Sequence, residues 1–178
     1  MKQALIIVDM LNDFVTGKLG GKRALAVVKP IKELLQRFRQ KHLPVIYVND
    51  AHTKTDSELK LWGQHAIKNT AGAKIIPPLV SLSNEYIISK KHYSGFFNTN
   101  LHDLLQKLKI DTIVVVGVYI NLCVFHTVAD AYQWGYKVVV PQDATNSFKA
   151  SDYRVFLQYF AQNYAVEVTT TAKVIKGI

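Results

Sequence analysis

TIVVVGVYINLCVFHTVADA, residues 112–131, holds the reading of the fold. Four β-branched residues in a row, Ile113–Val116, run into Gly117. A short loop follows, and then Cys123, the single cysteine of the chain. Beyond it Val124, Val128 and Ala131 recur at spacings that fit one face of a helix. The stretch therefore predicts a buried parallel strand, a tight turn, and a helix whose first turn carries a thiol. The unpaired N–H groups and positive dipole end of a helix start favour thiolate over thiol. A lone cysteine is more often an inert core residue, so a reactive reading needs partners from elsewhere in the chain.

Working outward, the same grammar repeats. Ala4–Val8 (ALIIV) is an apolar run ending in Asp9, and Pro44–Val48 (PVIYV) is another ending at Asn49-Asp50. Tyr86–Ser89, Tyr136–Val140 and Val166–Thr170 complete six strands. Between them, Leu25–Lys41 carries a helical stripe at 27, 28, 31, 34, 35 and 38, with Pro30 an awkward guest near its start. Leu101–Leu108 and Tyr153–Tyr164 are further helices. Asn12, Asp13, Gly17, Gly20 and Gly21 predict a loop, and residues 50–73 form a long polar segment without period, a length that is often functional. Alternating strands and helices predict an α/β fold: a three-layer α/β/α, Rossmann-like sandwich around a mainly parallel six-stranded sheet. In such a sheet Asp9, Asp50, Lys90 and Cys123 all reach the carboxyl edge, where α/β folds gather ligands.

Composition sets the bounds. With 178 residues, 49% hydrophobic and 20% charged, the chain suits one globular domain, and no repeat or linker divides 1–178. One cysteine excludes an internal disulfide, and the opening MKQALIIVDML has Asp9 in its apolar run and no cleavage site; a cytoplasmic protein is expected. No segment reaches membrane-spanning length. The net charge of +9 raises nucleic acid as a partner. Lys and Arg are scattered, however, and no nucleic-acid motif appears, so neither nucleic acid nor membrane is expected.

A thiol mostly protonated at neutral pH needs a base or a cation beside it. Asp9 can accept the proton, and a lysine from the third strand can hold that carboxylate ionised. His126 follows Cys123 by three and is the alternative base, but that spacing aims it along the same helix face rather than at the open side of the nucleophile.

DMLNDF (9–14), KKHYSGF (90–96) and GVYINLCVFHTVADA (117–131) together resemble the isochorismatase-like cysteine hydrolases, and among them the nicotinamidases. The resemblance implies an Asp–Lys–Cys triad at Asp9, Lys90 and Cys123. Lys90, not Lys91, stands at the motif position, and alternation puts the two on opposite faces of a strand. It also implies a cis peptide between Val118 and Tyr119, which brings the N–H groups of Tyr119 and Cys123 together as an oxyanion hole; losing one such donor costs about 3 kcal/mol of barrier. Ile120 departs from the family, where Thr is common.

The long polar segment contains Asp50, His52, Glu58 and WGQH ending in His65, a carboxylate and imidazole set suited to a borderline divalent ion. The resemblance makes Asp50, His52 and His65 metal ligands, with Glu58 an additional carboxylate. It implies zinc, or else iron or manganese, binding the pyridine nitrogen of nicotinamide. Phe14 and Trp62 are then the walls of the ring pocket. Gly63 and Ala66 depart from the family at positions that carry no ligand. The implied activity is deamidation of nicotinamide to nicotinate and ammonia in NAD salvage, by a homo-oligomer. The alternatives are hydrolysis of a different small amide, or a non-catalytic basic protein that binds polyanions.

Overall fold

The computed structural model describes residues 2–178. Its strands are β1 (Gln3–Val8), β2 (Val45–Asp50), β3 (Tyr86–Lys90), β4 (Thr112–Val118), β5 (Lys137–Pro141), β6 (Thr145–Asn146) and β7 (Glu167–Thr169). The helices are α1 (Asn12–Val15), α2 (Lys22–Ala26), α3 (Val28–Gln40), α4 (Leu59–Trp62), α5 (Leu101–Lys107), α6 (Cys123–Gln133), α7 (Ala150–Asn163) and α8 (Thr171–Gly177). The sheet runs β3-β2-β1-β4-β5-β7, with the two-residue β6 beside the end of β4. All its ladders are parallel. The six strands expected from the apolar runs are the six along this path.

The central strands β1 and β4 are apolar almost throughout because helices cover both faces. One face packs Ile6, Val8, Ile113 and Val115 against Leu101 and Leu105 of α5, Val124 and Val128 of α6 and Phe160 of α7. The other packs Leu5, Ile7, Val114 and Val116 against Ile31, Leu34, Leu35 and Phe38 of α3, with Val174 and Ile175 of α8. No helix among the described residues is long and apolar enough to cross a membrane.

Several boundaries differ from the sequence reading. The helix expected over 25–41 breaks at Val27 into α2 and α3, and Pro30 falls in the first turn of α3, where a missing N–H is harmless. Asn12–Val15, expected as loop, makes one helical turn. Helix α7 begins at Ala150 rather than Tyr153, because its first turn is polar and carries no apolar period. Helix α8 was not expected; Thr170 caps it by accepting from the N–H of Lys173 at 3.4 Å. Residues 50–73 are largely irregular, but contain α4 and a bridge between His52 and Ile67.

Parallel strands end together, and register does the positioning. Val8 pairs with Val48 and with Gly117, and Asp50 pairs with Lys90. Gly117 sits at φ 117°, and a Cβ there would lie 2.0 Å from the carbonyl oxygen of Val8. Glycine thus lets the end of β4 close against β1, which carries the loop before Cys123 to Asp9.

Candidate active site

Lys90 ends β3 pointing into the protein, and its side chain is fully buried. Its Nζ lies 2.8 Å from Asp9 Oδ2 and 3.5 Å from Cys123 Sγ, and it donates to Asp50 Oδ1. Asp9 adopts φ 51° just past β1, and its Oδ1 accepts the backbone N–H of Asp50 at 2.7 Å. A carboxylate oxygen of Asp9 and the thiol sulfur are within 4.8 Å of each other. The contact of Lys90 with Asp9 Oδ2 is one of charge rather than an aligned hydrogen bond, so Oδ2 keeps its accepting capacity for the thiol proton. Lys91 faces outward, half exposed, and pairs with Asp56 at 3.0 Å. His126 is exposed and stacks on Tyr93, with ring centroids 5.3 Å apart.

Burial dominates the electrostatics. It pushes the Cys123 thiol well above its ordinary value, although Lys90 pulls the other way. Against the expectation that a helix start would favour thiolate stands burial: the residue is 6% exposed, and desolvation with the nearby Asp9 and Asp50 holds the resting group as the thiol. Burial and the neighbouring Asp50 raise Asp9 to about 6, against the pull of Lys90. At neutral pH Asp9 is thus mostly ionised yet a stronger base than an exposed carboxylate. Burial alone would lower Lys90, but Asp50 and Asp9 outweigh it and hold the ammonium charged.

The peptide joining Val118 to Tyr119 is cis. In the loop that follows, Ile120 N–H donates to Asn146 O at 2.7 Å, and Leu122 and Val124 donate to Tyr119 O. Among the described residues the N–H groups of Tyr119 and Cys123 donate to no protein acceptor, so both remain available. The Tyr119 hydroxyl donates to Leu19 O at 2.6 Å, with Phe14 O at 3.2 Å, and locks that side chain. Ile120 is fully buried in the core with Val124 and does not reach the cleft.

Over the thiol lies a narrow cleft. Phe14, Trp62 and Cys123 line it as the sequence reading expects, and Glu58 and His65 close one side. The reading missed Leu19, Tyr93, Val118, Leu122 and Phe148, which also line it. Tyr93 belongs to the KKHYSGF motif, and its OH accepts from Trp62 Nε1 at 2.9 Å, a partner the motif alone could have suggested. Phe148 had no signal, since nothing local places residue 148 beside residue 62.

Asp50, His52, Glu58 and His65 each offer one ligand atom within 4.8 Å of the others. His52 Nε2 lies 3.5 Å from Asp50 Oδ2, and His65 Nε2 is 4.0 Å from Asp50 Oδ2 and 3.8 Å from Glu58 Oε1. Two of these atoms, Asp50 Oδ2 and His52 Nε2, are buried with no hydrogen-bond partner, which is costly unless something else binds them. The outer nitrogens are anchored: His65 Nδ1 donates to Gly63 O at 2.8 Å, and His52 Nδ1 meets Asp56 Oδ2 at 3.3 Å. Asp56 is itself held by the N–H (2.8 Å) and hydroxyl (2.6 Å) of Thr53. That arrangement aims both Nε2 atoms inward, as in imidazoles that ligate a metal. The charge points the same way: Asp9 and Asp50 share one buried ammonium, with Glu58 close by. The residues present therefore fit a divalent cation.

The class this defines is an α/β protein with an Asp, a Lys and a Cys gathered at the carboxyl edge of a parallel sheet. The model of the isochorismatase domain matches residues 3–173, and the chain belongs to that family. Among solved structures, N-carbamoylsarcosine amidase from Thermoplasma acidophilum is 36% identical over 96% of this chain and 97% of its own, with a TM-score of 0.91. Nicotinamidase/pyrazinamidase PncA from Bacillus subtilis is 29% identical over 95% and 100%, with a TM-score of 0.90. Pyrazinamidase of Pyrococcus horikoshii, in complex with zinc, is 25% identical over 96% and 99%, with a TM-score of 0.89.

Proposed function

We propose that the chain is a metal-dependent cysteine amidohydrolase that converts nicotinamide and water to nicotinate and ammonia, a step of NAD salvage. The observation that carries this reading is the inward-facing cluster of Asp50, His52, His65 and Glu58, of which His65 and Glu58 line the same small cleft as Cys123. Two further observations support it. Aromatic side chains, Phe14, Trp62, Tyr93, Tyr119 and Phe148, line much of the cleft, which suits a flat ring. No lysine or arginine lines it among the described residues. A ureido acid such as N-carbamoylsarcosine would have only the divalent ion to meet its carboxylate, whereas a neutral aromatic carboxamide leaves that ion free for a ring nitrogen.

In this reading Asp9 takes the proton from Cys123 and the sulfur attacks the carboxamide carbon. The oxygen that gains charge rests on the N–H groups of Tyr119 and Cys123. Asp9 returns its proton to the nitrogen as the C–N bond breaks, which releases ammonia and leaves a thioester. Water attacks the thioester with Asp9 again as base, and the proton goes back to sulfur. Lys90 stays charged throughout and compensates whichever of Asp9 and Cys123 is anionic. A divalent ion held by Asp50, His52 and His65, zinc before iron or manganese, supplies a Lewis acid for a ring nitrogen. Phe14 and Trp62 flank the ring, and fixing it over the sulfur is catalysis by positioning.

The test is ammonia release from nicotinamide and from N-carbamoylsarcosine by chelated, zinc-reconstituted and His52→Ala protein, with metal content measured on each. Activity on nicotinamide alone, lost on chelation, restored by zinc and absent from His52→Ala, is expected. Full activity in verified metal-free protein, or turnover of the ureido acid instead, refutes the reading.

A further inference from the structure

Phe148 is unlike the other cleft residues in where it comes from. It lies in the short connection between β6 and α7, and it lines the cleft beside Trp62 and Tyr119. Its ring stacks on Tyr119 at a centroid distance of 3.7 Å and lies near-parallel to the Trp62 indole at 5.6 Å, with 16° between the planes. Trp62 is in turn tied to Tyr93, and Tyr119 to Leu19 O. The three rings form one continuous wall.

The backbone under Phe148 is pinned. Arg23 of α2 donates from Nε to Ser147 O at 2.8 Å and from Nη2 to Asn146 Oδ1 at 2.5 Å. Asn146 Nδ2 returns a bond to Arg23 O at 3.1 Å, and Ser147 N–H donates to Asn146 Oδ1 at 3.0 Å. Ser147 is fully buried. A ring on so constrained a loop, wedged between two other rings, cannot swing aside at little cost. In a cleft this small, its edge sets how far a ligand extends.

We propose that Phe148 is the specificity-determining wall of the cleft, admitting an unsubstituted six-membered ring carboxamide and rejecting ring-alkylated or N-aryl amides. The ring-carboxamide part of this rests on the function proposed above; the steric part does not. Removing the ring opens space against Trp62 and Tyr119, and a methyl group gained or lost in an apolar pocket changes discrimination by roughly 10- to 200-fold.

Two measurements separate the claims. The first is the rate of Cys123 alkylation by iodoacetamide and by its N-phenyl derivative, which carry the same electrophile at different widths. The N-phenyl to iodoacetamide rate ratio is expected to rise tenfold or more in Phe148→Ala, with Phe148→Leu intermediate. The second is kcat/KM for nicotinamide and for ring-methylated nicotinamides, where the same variants are expected to shift the ratio toward the methylated amides. Alkylation ratios within twofold of wild type in folded Phe148→Ala overturn the proposal; should that variant not fold, an unchanged ratio in Phe148→Leu does so. Ratios that shift while no variant hydrolyses nicotinamide uphold the wall and refute the nicotinamidase reading.

Discussion

Lys90 faces two carboxylates and a thiol with no water to share the charge, so removing it acts twice. Truncation leaves Asp9 and Asp50 as buried anions, and breaking a buried pair by deleting one partner costs about 3–5 kcal/mol. It also strips the cation that keeps Asp9 usable as a base. Lys90→Ala is expected to lower the melting temperature and to reduce kcat by roughly 10²- to 10⁴-fold. Lys91 is the control. Its pair with Asp56 is half exposed, and such surface pairs are worth about 0–1 kcal/mol. Lys91→Ala should stay within about twofold of wild type in amidase assays and thermal melts. Comparable losses from both lysines would show that the proposed roles are wrong.

At the scale of elements, the meeting of β1 and β4 decides whether a site forms. Gly117 holds φ 117°, and the carbonyl of Val8 occupies the place where a side chain would begin. A methyl group there must push backbone against backbone in the middle of the sheet, since neither strand has a free edge. Gly117→Ala is expected to be destabilised by several kcal/mol, comparable to the larger core defects, and to lose Cys123 labelling selectivity. Chemical denaturation with matched m-values checks this, and a loss below about 1 kcal/mol would contradict the rigid fit. This level also shows what a sequence reveals. The apolar runs of β1, β2 and β4 were legible because burial on both faces leaves a continuous signature. Lys90 was legible against Lys91 because it stands at the motif position of the family the chain resembles, alternation adding only that one of the two faces inward. Asp56 behind His52 was not legible because it depends on a turn at Thr53 inside a segment without period, and Phe148 beside Trp62 because it depends on loops far apart in the sequence. The first turn of α7 was missed because it is polar; α8 with its C-cap carries an apolar stripe at Val174, Ile175 and Ile178, but over too few residues to read as a helix.

Across the whole molecule, charge near the site is spread over three strands and a loop, so its titration belongs to the assembly. Burial and Asp50 lift the Asp9 carboxyl from 3.8 to about 6. An acid whose folded value is raised costs the fold stability that grows as pH rises from 3.8 to about 6, stays constant above that, and disappears below 3.8. Reactivity runs the other way. Removal of the thiol proton needs Asp9 ionised, so iodoacetamide labelling of Cys123 in metal-free protein is expected to fall about tenfold per pH unit below about 6. Asp9→Asn should label slowly and without that inflection. A rate insensitive to pH between 4 and 7 would remove Asp9 as the base.

Asp50 takes part in two circuits at once: one oxygen accepts from Lys90, and the other faces the imidazoles of His52 and His65. A proton on Asp9 and a cation beside Asp50 therefore sense each other through one ammonium. Thermodynamic reciprocity makes the exchange even-handed: whatever factor a bound ion takes from the proton affinity of Asp9, that proton takes from the affinity for the ion. In the proposed cycle Asp9 gains and loses a proton at each turnover. Because that proton comes from Cys123, the charge beside the ion stays constant through the cycle, and it is acid from the solvent, placing a proton on Asp9, that loosens the ion.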